Sequence, residues 1–322
     1  MPVTARLYDA EGLDREVRLE RQVVKDLGEK QLLWIDITGF EEKEVENVGK
    51  LMGLPEQAVR SLLQPIRRPR LDNYGEFAHI NINCIQEDKQ RYKVAELDFV
   101  VDKNFIITVH SEPIDFLKSF DRQTKGDTQL GHLDASAFLM ALLDWHITSF
   151  FRIIERLDLE VDRLDELALE PHRDHDLFND LILLRRRVGQ VRMALTPHRE
   201  VYAALTRPDF VPLTGEDSAH HFAILNERLE RAIESVENAR ELLVGSFEIF
   251  TTQATLRTNS IMKTLTLVSV TLLPATLLTG ITGMLIKTPV YNIGDEGFWA
   301  MLVIMAVIGG LTLMFARRKR WI

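Results

Sequence analysis

Two long apolar runs near the carboxyl end constrain this chain more than any other feature of its sequence. The first run, residues 260–283, contains Lys263 as its single charge, and the second run, residues 298–316, contains no charge. A helix needs roughly 20 apolar residues to cross a hydrocarbon core of about 30 Å. We therefore predict two transmembrane helices, one over about 260–283 and one over about 298–316, joined by a short loop.

The charges around these runs predict their orientation. Arg257 and Lys263 lie at the start of the first span, and residues 317–320 form a basic tail after the second. Basic residues favour the cytoplasmic side, so we expect both flanks in the cytoplasm and the loop acids Asp295 and Glu296 on the far side. The first twenty residues lack the pattern of a secretory signal. A multi-pass protein of the bacterial inner membrane, with both termini cytoplasmic, is the prediction.

A pair of buried helices in a soluble protein is the other interpretation of these runs. It does not explain why an uncharged run of 19 residues is followed at once by four basic residues. A membrane hairpin explains both features, so we adopt it.

Polar and small residues follow one stripe of the first span. They recur at alternating spacings of three and four, which places them on one helix face at the period of supercoiled helices. The stripe consists of Asn259, Met262, Thr266, Ser269, Leu273, Thr276, Gly280 and Gly283. Such a face suits a water-filled pore inside a ring of identical helices. It equally suits ordinary packing between membrane helices, and the stripe alone leaves both interpretations open.

A second, apolar stripe leads directly into the first span. Its members, again three or four residues apart, are Leu225, Leu229, Ala232, Val236, Ala239, Leu243, Ser246 and Phe250. Gly245 interrupts the pattern, but a lone glycine costs a helix only about 1 kcal/mol. We predict one continuous helix over about 218–283, on the order of 100 Å long. Because a single copy of this long helix would be poorly buried, we expect the chain to form an oligomer.

The first 130 residues have the pattern of an α/β domain. Three segments are rich in β-branched and aromatic residues, and the last of them contains a turn at 102–104 that indicates a hairpin. These predicted strand regions are 32–38, 77–85 and 97–109, and the predicted short helices are 41–52 and 55–64.

The segment that follows is predicted to be helical. One helix runs from about 135 to Pro171 with acidic outer faces, and a second, over about 176–205, is basic at residues 185–187. Either the two helices pair through these charges as an antiparallel hairpin, or the charges are solvated faces. The predicted organisation is an α+β membrane protein with an N-terminal α/β cytoplasmic domain (1–130), a helical stalk (131–258) and a transmembrane hairpin with a basic tail (259–322).

Composition excludes several classes of function. A net charge of −9 argues against nucleic acid as a partner and is compatible with attracting cations. Cys84 is the single cysteine, and no nucleotide fingerprint or nucleophile motif is present, so we do not expect an enzyme. His172 and His175 are candidate metal ligands, although their place at a predicted helix tip also favours polar residues. No tightly bound cofactor is predicted.

Four segments of the C-terminal region carry a resemblance: residues 259–266 (NSIMKTLT), 273–276 (LPAT), 280–284 (GITGM) and the basic ending 317–322. In this order and spacing they resemble the CorA superfamily of divalent-cation transporters, which includes CorA magnesium channels and ZntB zinc transporters. The resemblance implies a homopentamer with a funnel-shaped cytoplasmic domain, whose long helices line one axial pore. It places Asn259, Met262, Thr276, Gly280 and Gly283 on the pore.

The sequence also departs from this family. The family signature is Gly-Met-Asn or Gly-Ile-Asn, whose asparagine binds the hydrated cation at the pore mouth; here the triplet is Gly283, Met284 and Leu285. Leucine neither donates nor accepts hydrogen bonds, so that filter is absent as written. The aspartate pair with which CorA channels sense magnesium is replaced at the matching positions by Ser61 and Ile224.

The leading hypothesis is a homopentameric channel or transporter for divalent cations, with magnesium and zinc as first candidates and cobalt or nickel next. The alternative is a non-conducting membrane scaffold or envelope sensor of the same architecture, because both the filter and the sensing pair are altered. A proton-coupled carrier is a third possibility, but the spans contain no acidic residue that would support it.

Overall fold

The structure is a computed structural model that describes residues 3–9, 14–28, 30–39, 41–64, 68–88, 91–124, 134–169, 174–207, 216–283 and 295–318. The chain divides into two units, Met1–Ser246 and Phe247–Ile322.

Strands of the first unit form one mixed sheet. Its strands are β1 (Val3–Asp9), β2 (Arg15–Glu16), β3 (Gln31–Thr38), β4 (Arg70–Asn73), β5 (Ala78–Asp88), β6 (Arg91–Val101) and β7 (Phe105–His110). Their order is β2-β1-β3-β7-β6-β5-β4, and every neighbouring pair is antiparallel except β3 and β7. The three predicted strand regions and the hairpin turn at 102–104 are confirmed. Strands β1, β2 and β4 were not predicted.

The helices of the chain are α1 (Arg21–Lys25), α2 (Glu42–Met52), α3 (Glu56–Leu63), α4 (Asp115–Thr124), α5 (Ala135–Leu169), α6 (Asp174–Leu195), α7 (His198–Leu205), α8 (Glu216–Gly283) and α9 (Asp295–Arg318). Helix α8 begins in the first unit and ends in the second, and α9 belongs to the second. The two short helices expected at 41–52 and 55–64 are confirmed as α2 and α3.

Alternation along β3 explains how the faces are used. Ile35 and its alternate neighbours pack with the apolar residues of α2 and α3 in one core cluster. Trp34 points the other way, where its ring lies 5.9 Å from Phe120 of α4 and 5.5 Å from Phe138 of α5. Because successive side chains of a strand face opposite sides, the sheet has one core against α2 and α3 and a second core against α4 and α5.

The basic helix expected over 176–205 is two helices rather than one. Helix α6 ends at Leu195 and α7 begins at His198, with Pro197 as its N-cap residue. A proline lacks the backbone N–H that a continuing helix requires, so the chain turns there. The sequence pattern missed this break because apolar residues continue on both sides of it.

The acidic and basic helices pair, as one of the two interpretations proposed. Arg187 of α6 forms an ion pair with Glu160 of α5, and its Nη2 donates a 2.9 Å hydrogen bond to the Tyr92 hydroxyl. The neighbouring Arg185 and Arg186 are exposed. The two helices are therefore joined by the ion pair of Arg187, whereas the neighbouring arginines are exposed to solvent.

The continuous helix predicted over 218–283 is confirmed as α8. The part of its apolar stripe from Leu225 to Ser246 is buried in the first unit, where Leu229, Ala232 and Val236 have almost no exposed surface. Arg228 pairs with Asp144 of α5 on the same side. Within the first unit, α5 and its neighbours cover this face of α8. The described side chains of α8 beyond residue 246 are mostly exposed, as expected for a single copy of the helix, and the oligomer stays a prediction.

Two buried histidines form hydrogen bonds with the backbone of Asn83 on β5, beyond the residues of β5 that pair with β4. The Asn83 N–H donates to His198 Nε2 at 3.0 Å, and His146 Nε2 donates to the Asn83 carbonyl, also at 3.0 Å. Burial lowers the pKa of His146 to about 4. Burial, with His146 nearby, lowers the pKa of His198 well below its ordinary value. Both imidazoles are therefore neutral at pH 7, which His198 requires in order to accept the Asn83 hydrogen bond.

Candidate functional site

The polar stripe of α8 lies on an exposed face within the second unit. Met262 is 60% and Leu273 is 65% exposed, and Asn259, Thr266, Ser269, Thr276 and Gly280 are exposed with them. Gly283 is the last residue of α8. The described residues of this single chain therefore do not cover the stripe.

Helix α9 packs on a different side of α8. The partly buried residues of α8 in this region are Leu267, Thr271, Pro274 and Ala275. A Cβ built on Gly309 of α9 would lie 4.0 Å from Thr271 Cγ2, so the two helices approach closely there. At about 100° per residue this face is roughly half a turn from the polar stripe. The contact with α9 therefore uses one side of α8 and leaves the stripe on the other.

Threonine side chains on the stripe are bonded to their own helix. Thr266 Oγ1 donates to the Met262 carbonyl at 2.7 Å, and Thr276 Oγ1 donates to the Leu272 carbonyl at 2.9 Å. A hydroxyl has one hydrogen and two lone pairs. Because the hydrogen is used within the helix, each oxygen presents acceptor lone pairs, which suit a cation or its hydrating water.

Much of the predicted pore mouth lies outside the described residues. Met284 and Leu285 of the signature triplet belong to that part, so their placement stays a prediction. Asp295 and Glu296, which we predicted as loop acids, instead form the first turn of α9, and Glu296 is exposed. Carboxylates are favourable at this end of a helix because the backbone N–H groups there are unpaired.

The histidine metal site predicted at the helix tip is untested. His172 lies outside the described residues, and His175 is in the first turn of α6. Within the described ranges, no group of three or more His, Cys, Asp or Glu side chains is arranged to hold a metal ion. Ser61 lies on α3 and Ile224 is exposed on α8.

Acidic side chains of α5 add a local negative field to the first unit. Burial, reinforced by neighbouring Asp162, raises the pKa of Asp158. The two carboxylates therefore repel each other across one turn of the helix, as like charges at this spacing do.

Two described helices are long and apolar enough to cross a membrane. One lies within α8, where the apolar window is not buried, and the other is α5, where half of the window is buried. Helix α9 also contains an apolar stretch, Trp299–Thr312. Because the core of the first unit buries much of α5, its apolar length is explained without a membrane.

The model of one protein family, described as "CorA-like Mg2+ transporter protein", matches residues 29–318. The chain belongs to the CorA family of divalent-cation transporters. Members of this family are transporters, so the expectation that the chain is not an enzyme is confirmed, and so is its assignment as a membrane protein.

Individual relatives are distant in sequence but similar over nearly their whole length. The cobalt/magnesium transport protein CorA of Thermotoga maritima is 23% identical over 90% of this chain and 83% of its own length. The zinc transport protein ZntB of Klebsiella pneumoniae is 25% identical over 84% of this chain and 81% of its own. The complete structure of the CorA magnesium transporter from Methanocaldococcus jannaschii matches with a TM-score of 0.83, at 21% identity, over 100% of this chain and 99% of that one. The predicted fold class is confirmed.

Sequence reasoning found the stripe but missed the residues that orient it. The side of α8 used by α9 includes Thr271 and Ala275, and Gly309 of α9 approaches it. The available signal was the pair of small residues, Gly309 and Gly310, inside an otherwise bulky apolar run, because small residues permit close approach of membrane helices.

Proposed function

We propose that this chain forms a homopentameric channel in the bacterial inner membrane that passes divalent cations, magnesium or zinc first, through an axial pore. The observation that carries the proposal is the polar stripe of α8, which is exposed on the side away from α9. Around a fivefold axis, five such stripes would face one another, and α9 would lie outside them against lipid. The basic tail and Arg257 would hold both flanks of the hairpin in the cytoplasm.

The chemistry of the stripe favours a hydrated ion. Hydroxyl oxygens of Thr266 and Thr276 offer neutral acceptors, and the stripe contains no carboxylate that would hold a bare cation tightly. Met262 and Leu273 would form apolar rings, where a pore can close by excluding water. A pathway of this kind binds an ion weakly enough to release it.

Leu285 bears on selectivity. In place of the family's asparagine it offers no polar group to a hydrated ion at the outer mouth. We therefore expect low discrimination among magnesium, zinc, cobalt and nickel, and we expect Leu285→Asn to increase the preference for magnesium.

Ion flux through reconstituted protein tests the proposal. Thr276→Phe places a bulky ring on the stripe, and Val268→Phe places the same ring about a third of a turn from the centre of the stripe. We expect wild-type vesicles to take up magnesium faster than empty vesicles, Thr276→Phe to lose about 90% of that flux or more, and Val268→Phe to stay within about twofold. Equal losses in both variants would contradict a pore on this stripe.

Thiol labelling distinguishes a conducting pore from the alternative scaffold. Cys84 is fully buried and burial raises its pKa well above the ordinary value, so the native thiol is unreactive and need not be removed. We expect a charged thiol reagent to label Thr276→Cys and not Val268→Cys in the membrane. A cross-linked pentamer that shows no flux and no labelling of Thr276→Cys would favour the non-conducting scaffold or sensor.

A further inference from the structure

The sheet of the first unit contains a crevice of the kind that binds ligands in open α/β proteins. Strands β3 and β7 are parallel neighbours. The chain leaving β3 enters α2 on the Ile35 face, whereas the chain leaving β7 enters α4 on the Trp34 face. Connections that leave adjacent parallel strands toward opposite faces open a crevice at the carboxyl ends of those strands.

A cavity occupies this position. It has a volume of about 200 Å³ and lies between α4 and the ends of β3 and β7. We name it the β3–β7 cleft and define it by Thr4, Asp36, Thr38, His110, Leu117 and Lys118. Sites for drug-sized ligands measure roughly 300–1,000 Å³, so the cleft suits a molecule of amino-acid size and is too small for a nucleotide.

Asp36 forms the polar floor of the cleft. Its Oδ1 accepts a 2.5 Å hydrogen bond from Thr108 Oγ1 and lies 3.1 Å from His110 Nε2. Its Oδ2 lies 3.5 Å from Thr38 Oγ1, at the limit of a hydrogen bond, and the side chain is 23% exposed. One oxygen is thus held in place, while the other is positioned to accept a hydrogen bond from a ligand.

Two cations and one apolar wall complete the cleft. Arg6 Nη2 donates to Asp121 Oδ2 at 2.9 Å in a two-point ion pair, which neutralises its charge. Lys118 is exposed at the rim, where its ammonium suits a carboxylate. Leu117 and Ile114 line the wall between them and suit a small apolar group.

We propose that the β3–β7 cleft binds a small zwitterionic metabolite of the amino-acid class. The ligand ammonium would bind Asp36 and the neighbouring threonine hydroxyls, and its carboxylate would bind Lys118. A bare metal ion fits poorly, because it has no carboxylate to pair with Lys118 and because the described residues provide no cluster of three metal-ligating side chains here. The proposal is independent of ion conduction.

Thermal unfolding of the full chain in detergent tests the proposal, with each of the twenty protein amino acids added singly. Ethylamine and propionate serve as single-charge controls for alanine. We expect at least one amino acid to raise the unfolding midpoint by about 2 °C or more at millimolar concentration, and neither control to do so. Calorimetric titration should then give a dissociation constant at least about tenfold weaker for Asp36→Asn and for Lys118→Met.

Lys103→Met, which removes an exposed lysine from the turn between β6 and β7, is the matched control and should bind as the wild type does. Asp36 also accepts hydrogen bonds within the fold, so Asp36→Asn could fail to fold. In that case the dissociation constant of Lys118→Met, a change at an exposed residue, is compared with those of the wild type and Lys103→Met. The proposal is overturned if no amino acid shifts the midpoint, if phosphate or chloride shifts it equally, or if binding survives unchanged in Lys118→Met.

Discussion

Helix α5 and the last third of α8 are both apolar enough to cross a membrane, yet they meet different surroundings. In α5, Phe138, Leu142 and Ile147 have no exposed surface. In α8, Ile261 and Leu273 remain more than half exposed within the single chain. Apolar length is the same kind of signal in both, so it does not by itself decide where a helix resides.

The difference lies in what each helix can pack against. Helix α5 packs on the face of the sheet that carries Trp34, where aromatic side chains such as Trp34 lie against it. The α8 segment has α9 on one side, with Gly309 near Thr271, and no described partner on the other. The core helix therefore obtains its burial within the chain, whereas the described residues of one chain leave much of the α8 segment exposed.

Large-to-small substitutions should show the largest difference in stability between the two helices. Phe138→Ala removes a buried ring that packs against Tyr8, Trp34 and Phe120, and we expect it to lower the free energy of unfolding by about 3–5 kcal/mol. Leu273→Ala should change it by less than about 0.5 kcal/mol. Urea unfolding in detergent, followed by tryptophan fluorescence, measures both. A cost at Leu273 as large as at Phe138 would show that the stripe is tightly packed rather than open.

The pH dependence of stability should arise in the first unit, because residues 247–322 contain no histidine. His146 has a pKa of about 4 in the folded chain and about 6.5 when unfolded. Between these values the unfolded chain binds the extra proton, so stability is lost as the pH falls from about 6.5 to 4. The loss approaches about 3 kcal/mol for His146 alone, and the lowered pKa of His198 acts in the same direction.

Unfolding free energies measured at pH 7 and pH 5 check this expectation. His146→Gln should flatten the dependence. If the unfolding free energy of the His146 variant falls between pH 7 and pH 5 as much as that of the wild type, groups other than His146 cause the loss.

Glycine-to-alanine changes provide the smallest contrast. A Cβ at Gly49 of α2 would lie 2.5 Å from Val59 Cγ2, which belongs to the buried core, so we expect Gly49→Ala to cost about 1–2 kcal/mol. At Gly280 no described heavy atom lies within 4 Å of such a Cβ, and we expect Gly280→Ala to leave unfolding unchanged or to stabilise the helix by up to about 1 kcal/mol. Thermal melts of the two variants compare them directly. If Gly280→Ala also destabilises the assembled protein, this glycine is in close contact with another copy.

Local patterns in the sequence determined most of the helices and the interior strands. Alternation predicted β3 and the β6–β7 hairpin, and the three-four spacing predicted the length of α8, because each depends on the side-chain period of one element. Strands β1 and β4 were not predicted, because each mixes polar residues with apolar ones and is stabilised by pairing with neighbouring strands. The break at Pro197 was missed because apolar residues on either side masked it.

The sequence alone determined that this chain has two apolar runs near its carboxyl end, a polar stripe along the first of them and a leucine at position 285. Only the tertiary structure decided which side of α8 is used by α9, that α5 is a core helix, and that Asp36 and Lys118 meet at one cleft. The reason is physical: helical and strand periods are local properties of a segment, whereas packing, burial and convergence depend on residues far apart in the chain.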